Sequence, residues 1–324
     1  MSMVPGITGS DAAAEISIEG SEPLPPGRKI EGRSPWQLAY ERLRKDRTAK
    51  IAFATIVVIV LLALLAPIIA ALVGHGPNQQ FINTGESASG GPIGPNSTFW
   101  FGTDENGRDL FIRTLYGARV SLVVGVLATM ISMALGVVFG LTAGYLGGAV
   151  DTLIARMIDV MLSIPFLVLA ISAAYIWHPS FWLVIFIVGV LSFTYPARIV
   201  RGQVISIKEK EFIESARALG AGPLRIMFID LLPNVMAQVI VYGTLLIPAA
   251  IVAEASLSFL GVGIPPPTAD WGQMISDASG YYQYGSWWYL FFPSVALLIT
   301  TLAFNILGDS VRDAFDPRGG GLYV

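Results

Sequence analysis

The chain has 324 residues, 54% of them hydrophobic and 13% charged, with a net charge of −3 and a mean hydropathy of +0.64. A soluble domain of this size carries about 25% charged residues, so the polar surface it would need is missing and most of the chain is expected to face lipid. The acidic balance gives no ground for nucleic-acid binding, and the absence of cysteine excludes disulfides, thiolate catalysis and Cys-based metal sites.

Residues 1–33 are rich in Gly, Pro, Ser and acids and lack the apolar run of a secretory signal. They read as a disordered cytoplasmic tail. Ser34-Pro35-Trp36-Gln37 then has the form of a helix start, with Ser34 as cap, Pro35 in the first turn and Gln37 completing a capping box. Over 34–50, Trp36, Tyr40 and Leu43 share a face and Arg42, Arg44, Lys45 and Arg47 supply charge elsewhere. This pattern predicts an amphipathic helix in the membrane interface; a solvated juxtamembrane helix is the alternative.

Ile51 to Val73 is an uncharged run of 23 residues. At 1.5 Å per residue it reaches about 34 Å, enough for a hydrocarbon core of ~30 Å. The same reading places further spans at 120–143, 155–177, 180–200, 235–260 and 287–308. Eight Lys/Arg precede the first span from Arg28 on, six lie from Arg198 to Arg225, Arg156 opens span three, and Arg312 and Arg318 follow span six. Only Arg108, Arg113 and Arg119 lie on the other side, which predicts cytoplasmic N- and C-termini. The expected fold is therefore all-α, a polytopic membrane protein with six transmembrane helices in a permease domain over 51–318.

In the external segment 74–119, Asp104, Glu105, Arg108, Asp109, Arg113 and Arg119 recur at roughly helical spacing over 103–119. A surface helix and a structural brace between spans one and two both fit. Residues 201–233 form a long cytoplasmic segment. Lys208 to Leu219 suits a helix with Phe212, Ala216 and Leu219 on one face, and Gly220 suits its stop. Gly222-Pro223 opens a second helix in which Leu224, Met227, Phe228 and Leu231 recur, and Leu232-Pro233 is expected to end it. Two helices bent around a glycine and tethered at both ends make a rigid knob. It could pass force from a partner or merely pack on the bundle's inner face, and amphipathicity leaves both open.

Glu214-Ser215-Ala216, Gly220 and Leu232-Pro233 resemble the EAA loop of ABC-importer permeases, with Ser215 replacing the usual small Ala. Three further stretches resemble the dipeptide/oligopeptide/nickel branch of that family, as a C-type subunit. They are Phe101-Gly102-Thr103-Asp104-Glu105-Asn106-Gly107-Arg108-Asp109 with Leu115 to Arg119, Glu254 to Gly261 with Pro265-Pro266 and Trp271-Gly272, and Leu307-Gly308-Asp309 with Arg312-Asp313 and Asp316-Pro317-Arg318. The resemblance implies that the 201–233 loop holds a coupling helix that docks on an ATPase, and that the chain forms half of a path for di- or oligopeptides. It implies a second homologous permease, two ATP-binding-cassette ATPases, an extracytoplasmic solute-binding protein, and the inner membrane of a prokaryote. Asp230 stands where relatives often carry a basic or apolar residue.

The sequence holds no G-x-x-x-x-G-K-[ST] loop, so ATP and Mg are expected in the partner subunits and no cofactor, metal or catalytic residue in this one. His75 and His178 read as ordinary loop residues. Charges within spans default to function, so Glu254 is either a gate residue or a structural carboxylate where span five unwinds. Asp159 is expected to pair with Arg156, and Asn305 and Asp309 to tie helices together. Pro67, Pro165, Pro196, Pro248 and Pro293 fall in spans as hinges or static kinks. Import of nickel chelates or oligosaccharides is the alternative within the same machine. An ion-driven secondary transporter is the remote alternative, since no repeat joins the halves.

Overall fold

The computed structural model describes residues 35–87 and 90–316. The expected tail 1–33, the Ser34 cap and Arg318 lie outside the described residues. The protein is helical, with three isolated β-bridges among the described residues. Helix α1 (Pro35–Lys45) leads to α2 (Arg47–Val73), whose first turn is capped by Asp46 accepting from the Thr48 N–H at 2.8 Å. After the 74–109 segment, α3 (Leu110–Leu146) runs for 37 residues. At 1.5 Å per residue it spans about 55 Å and protrudes from any bilayer of ordinary thickness.

The third expected span departs from its reading. Residues 155–177 do not form one straight helix; α4 (Gly148–Ser163) and α5 (Phe166–Trp177) meet at 89°. Pro165 is the cause, because its ring disfavours the helical region for the preceding residue, and Ile164 is extended at φ −102°, ψ 130°. The fourth span is α6 (Phe181–Ser192) followed by α7 (Thr194–Ile207), interrupted at Phe193. There Pro196 offers no N–H to the Ser192 carbonyl.

Past α8 (Glu211–Ala218), the chain does not stop at Leu232-Pro233 as expected. Helix α9 (Pro223–Arg225) passes through a π-helical turn, Ile226–Leu231, into α10 (Leu232–Phe259). The π turn closes with the Leu232 N–H donating to the Met227 carbonyl, and the helix continues past Pro233 instead of ending there. Helix α11 (Trp271–Ser279) and α12 (Trp287–Phe315) complete the chain. Five helices or joined pairs are long and apolar enough to cross a membrane, and the α4–α5 pair makes six if it is one bent span.

Helix α3 is the centre of the bundle. Gly136, Gly140 and Gly144 form a ridge against Pro196, Val200 and Val204 of α7. A Cβ on Gly140 would stand 2.7 Å from Val200 Cβ, and one on Gly144 2.8 Å from Val204 Cβ. Small residues at four-residue spacing let helix backbones approach where no hydrophobic effect drives them together.

One end of the bundle gathers α1, the 208–231 segment and the end of α12; the other gathers 74–109 and 260–286. We call them the knob end and the cap end. Helix α1 clamps α12 at the knob end. Arg42 donates to the carbonyls of Ala314 at 3.2 Å and Asp316 at 2.7 Å, and Trp36 meets Phe315 edge-on at 5.1 Å. These bonds satisfy carbonyls that a helix C-terminus leaves open.

Gly140→Ala should lower stability by about 1–3 kcal/mol through overpacking. Gly202→Ala on α7, where nothing lies within 4 Å of the added methyl, should be neutral or stabilise by up to about 1 kcal/mol. Thermal unfolding of the two variants in detergent checks this; equal shifts would contradict the α3–α7 contact.

Candidate functional site

The knob begins with α8, whose Ile213 is fully buried among Leu141 of α3, Val200 and Val204 of α7, and Val235 of α10. Leu219 ends the helix and Gly220 takes φ +83°. The Gly220 N–H donates to the Arg217 carbonyl at 2.9 Å and the Ala221 N–H to the Ala216 carbonyl at 3.0 Å. These are the two bonds of a Schellman stop, which needs the left-handed region that glycine enters without strain. The Arg217 guanidinium lies 5.4 Å from the Tyr145 ring centroid and ties α8 to the end of α3. Arg201 grips the Asp151 carboxylate through both Nε and Nη2, the latter at 2.7 Å, joining α7 to α4.

The expected faces of the knob are partly inverted. Met227 and Leu231 are buried, whereas Leu224 and Phe228 point out, 69% and 47% exposed. On α8 the inward residues are Ile213 and half-buried Ala216; Phe212 and Leu219 are exposed. Glu214, Ser215, Gly220 and Pro233 are exposed and Leu232 is half-buried. With Ile229, these outward apolar residues form a patch that packs on no other part of the chain among the described residues. Ile229 escaped the sequence reading because the π turn rotates the face that a uniform 3.6-residue period assigns; Ile213 is the one fully buried residue of the short α8.

At the cap end, residues 103–109 form a turn instead of the start of a surface helix, and α3 begins at Leu110. Asp104 is fully buried and accepts from the N–H groups of Asn106 at 3.0 Å and Arg108 at 2.9 Å, and from Arg108 Nε at 2.6 Å. Arg113 Nε stands 3.2 Å from the same carboxylate but is not aligned to donate, so that contact is Coulombic. Arg113 Nη1 donates to the Pro77 carbonyl at 3.0 Å and Asn78 Oδ1 at 3.1 Å. Glu105 accepts from Arg108 Nη2 at 3.1 Å and from the Tyr289 hydroxyl of α12. Burial, with the Asp104 carboxylate beside it, holds the Glu105 carboxyl above the usual carboxylate range.

Asp109 caps α3 by accepting from the Phe111 N–H at 2.9 Å. Its other oxygen lies 2.5 Å from His75 Nδ1, so His75 is not an ordinary loop residue. Its ring packs on Phe81 and Phe99 at 4.6 and 5.1 Å. Tyr289 and His75 carried no signal in the sequence, because both partners are distant in the chain.

Within the spans, Glu254 is fully buried and accepts from Ser121 of α3 at 3.0 Å and Ser258 at 3.2 Å. The helix does not unwind there; α10 continues to Phe259. Asp159 lies 2.8 Å from Arg198, nearer than Arg156 at 3.8 Å. Asn305 and Asp309 are exposed and make no tie between helices among the described residues. Asn305 instead lines an open groove of about 410 Å³ with Phe166, Leu167, Val252 and Ser256, between α5, α10 and α12. A second recess of about 300 Å³ shares Val252 and Ser256 and continues under α11. Among the described residues no cluster of three or more His, Cys, Asp or Glu could hold a metal ion.

Comparison with known proteins gives this geometry a family. Residues 136–319 match the binding-protein-dependent transport system inner membrane component, and residues 34–88 the N-terminal transmembrane domain of oligopeptide transport permease C. The dipeptide transport system permease protein DppC of Bacillus subtilis (strain 168) is 42% identical over 87% of this chain and 85% of its own. The oligopeptide transport system permease protein OppC of Escherichia coli (strain K12) is 37% identical over 90% and 93%. An inward-facing structure of the MetNI methionine ABC transporter has the same fold over 63% of this chain and 96% of its own, with a TM-score of 0.51 at 21% identity. The chain belongs to the inner-membrane permeases of binding-protein-dependent ABC importers, as a multi-pass membrane protein of the peptide-permease C group.

Proposed function

We propose that this chain is one half of the transmembrane path of an importer for di- and oligopeptides, and that the knob is where ATP hydrolysis in partner subunits drives it. The observation that carries the reading is the apolar patch of Leu219, Leu224, Phe228 and Ile229, held out from the bundle by a Schellman stop and anchored inward through Ile213. Exposed apolar groups of this kind at the end of a rigid element mark a protein interface. The peptide assignment follows the names of the relatives, which are dipeptide and oligopeptide permeases. The family supplies the partners: two ATPase subunits, a second permease of similar fold and a solute-binding protein. ATP and Mg belong to the ATPases, and this subunit catalyses no reaction of its own.

Basic residues concentrate at the knob end, with Arg42, Arg44, Lys45, Arg198, Arg201, Lys208, Lys210 and Arg217 among them. The positive-inside rule makes that end cytoplasmic, which leaves the cap facing the binding protein. Because Ile213 sits in one packed cluster with α3, α7 and α10, displacement of the knob moves those three helices together. The two permeases would rock between inward- and outward-open packings. The groove beside α10 is then the chain's wall of the path, since Asn305 places an exposed amide there where lipid contact would be costly.

Gly220→Pro removes both the φ of +83° and the N–H donated to Arg217. It should weaken capture of a co-expressed ATPase by more than about tenfold, some 1.4 kcal/mol, while the bundle still assembles. Phe228→Asp should act likewise, and undiminished capture by both variants would refute the knob as the docking site. Ile213→Ala should instead lose about 2–5 kcal/mol of stability, read as a lowered unfolding temperature.

The chain has no native cysteine, so single cysteines report directly on water access. In the assembled importer, Asn305→Cys and Ser256→Cys should react with a membrane-impermeant thiol reagent at rates that change with ATP. Leu64→Cys on exposed α2 should stay unlabelled in lipid. Equal protection at all three positions would place the groove against lipid or partner instead of the path.

A further inference from the structure

Helix α10 carries one acid that neither the knob nor the groove uses. Glu254 faces away from the groove, and Asp270, the cap of α11, is buried beside it; both are 0% exposed. Asp270 Oδ1 accepts from the Gly272 N–H at 2.8 Å, while Oδ2 has no donor. The two carboxyls meet side chain to side chain. An ionised carboxylate has acceptors only, so two facing carboxylates repel, and although both Glu254 oxygens accept from serine hydroxyls, Asp270 Oδ2 is left without a donor.

The groups that face the pair are the Ser121 hydroxyl from α3, the Ser258 hydroxyl from α10, and the Gly272 and Gln273 amides from α11. Among the described residues, no arginine, lysine or histidine stands among these principal neighbours. Around the pair, α10 and the 260–272 segment pack closely. A Cβ on Gly272 would strike the Ala255 backbone, and one on Gly263 would strike Ser258. Burial also pushes the Asp270 carboxyl above its usual range.

We propose that Glu254 and Asp270 form a proton-binding site, in which one proton shared between Glu254 and Asp270 Oδ2 fastens the 260–270 segment to α10 and α3. The proton supplies the donor that Oδ2 lacks and halves the buried charge. Oδ1 stays free to cap α11, and Trp271 follows directly, its Nε1 donating to the Thr114 carbonyl at 2.9 Å. The site thus holds the whole α10–α11 turn on the outer half of α3.

The sign of its pH dependence follows. The unfolded chain releases these protons near the ordinary carboxylate value of about 4. Burial holds the Asp270 carboxyl above that value in the folded chain, so its stabilisation is full below the unfolded value and is lost as pH rises through the folded one.

The test is an infrared spectrum of the full chain, purified with its co-expressed partners, at neutral pH in water and deuterium oxide. A protonated-carboxyl stretch should appear in the difference between wild type and Glu254→Gln, and between wild type and Asp270→Asn. Glu254→Gln should also flatten the fall in unfolding temperature with rising pH, because its amide gives Oδ2 a permanent donor. Absence of the band from both difference spectra would overturn the proposal. If neither variant folds, the wild-type titration decides: a band that disappears in step with the falling unfolding temperature supports the shared proton, and no titrating band refutes it. A band that is replaced by sodium-dependent stabilisation would mark a bound cation and overturn it equally.

Discussion

In hydrocarbon a helix gains nothing by burying leucine against leucine, so a bundle is held by how closely its backbones can come. Here that closeness is concentrated on α3. Its ridge of Gly136, Gly140 and Gly144 lets α7 lie against it backbone to backbone, and Gly125 admits Ile251 of α10 in the same way. The bent α4–α5 pair packs on this framework, with Ile154 and Ile158 against Phe193 and Ala197, and Ala170 and Ala174 against Val184 and Val188. Remove the ridge and α7 and α10 lose the surface to which both are fitted.

The two ends of α3 face different tasks. At the cap end Asp109 caps its first turn and His75 fixes that carboxylate, while Arg113 ties the second turn to Pro77 and Asn78. At the knob end Tyr145 receives Arg217 of α8. One rod of about 55 Å therefore joins the knob to the cap. Its rigidity matters more than any single bond, because a packed core offers discrete arrangements instead of gradual deformation.

Hydropathy made the spans legible because five of the six stretches are long, apolar and nearly unbranched in their geometry. The bend at Ile164 was legible in principle, since Pro165 stands in the sequence, but Pro67, Pro248 and Pro293 sit inside helices that continue. Only the neighbours decide whether a freed carbonyl is satisfied in place. The knob shows the same limit. Its glycine stop could be read from Gly220 alone, but the π turn at Ile226–Leu231 reassigns Leu224 and Met227 to opposite sides. The charges of 103–113 suggested a helix because Asp104 and Arg108 are four apart. The same spacing closes a tight turn, and nothing local distinguishes the two. His75, Tyr289 and Asp270 act through partners far away in the chain, where periodicity has no reach.

The buried acids divide into two solutions of one problem. A carboxylate taken out of water needs either a counter-charge or a proton. In the cap, Asp104 has Arg108 and Arg113 close by, and the cost of burying it is offset by bonds to guanidinium and backbone N–H groups. Along α10, among the described residues, no guanidinium pairs with Glu254 or Asp270, whose principal neighbours besides each other are serine hydroxyls and backbone amides. Fixed ion pairs suit a cap that stays assembled whatever the bundle does. A proton suits the joint between α10 and α11, because it can be released or regained without carrying a long side chain through the packing.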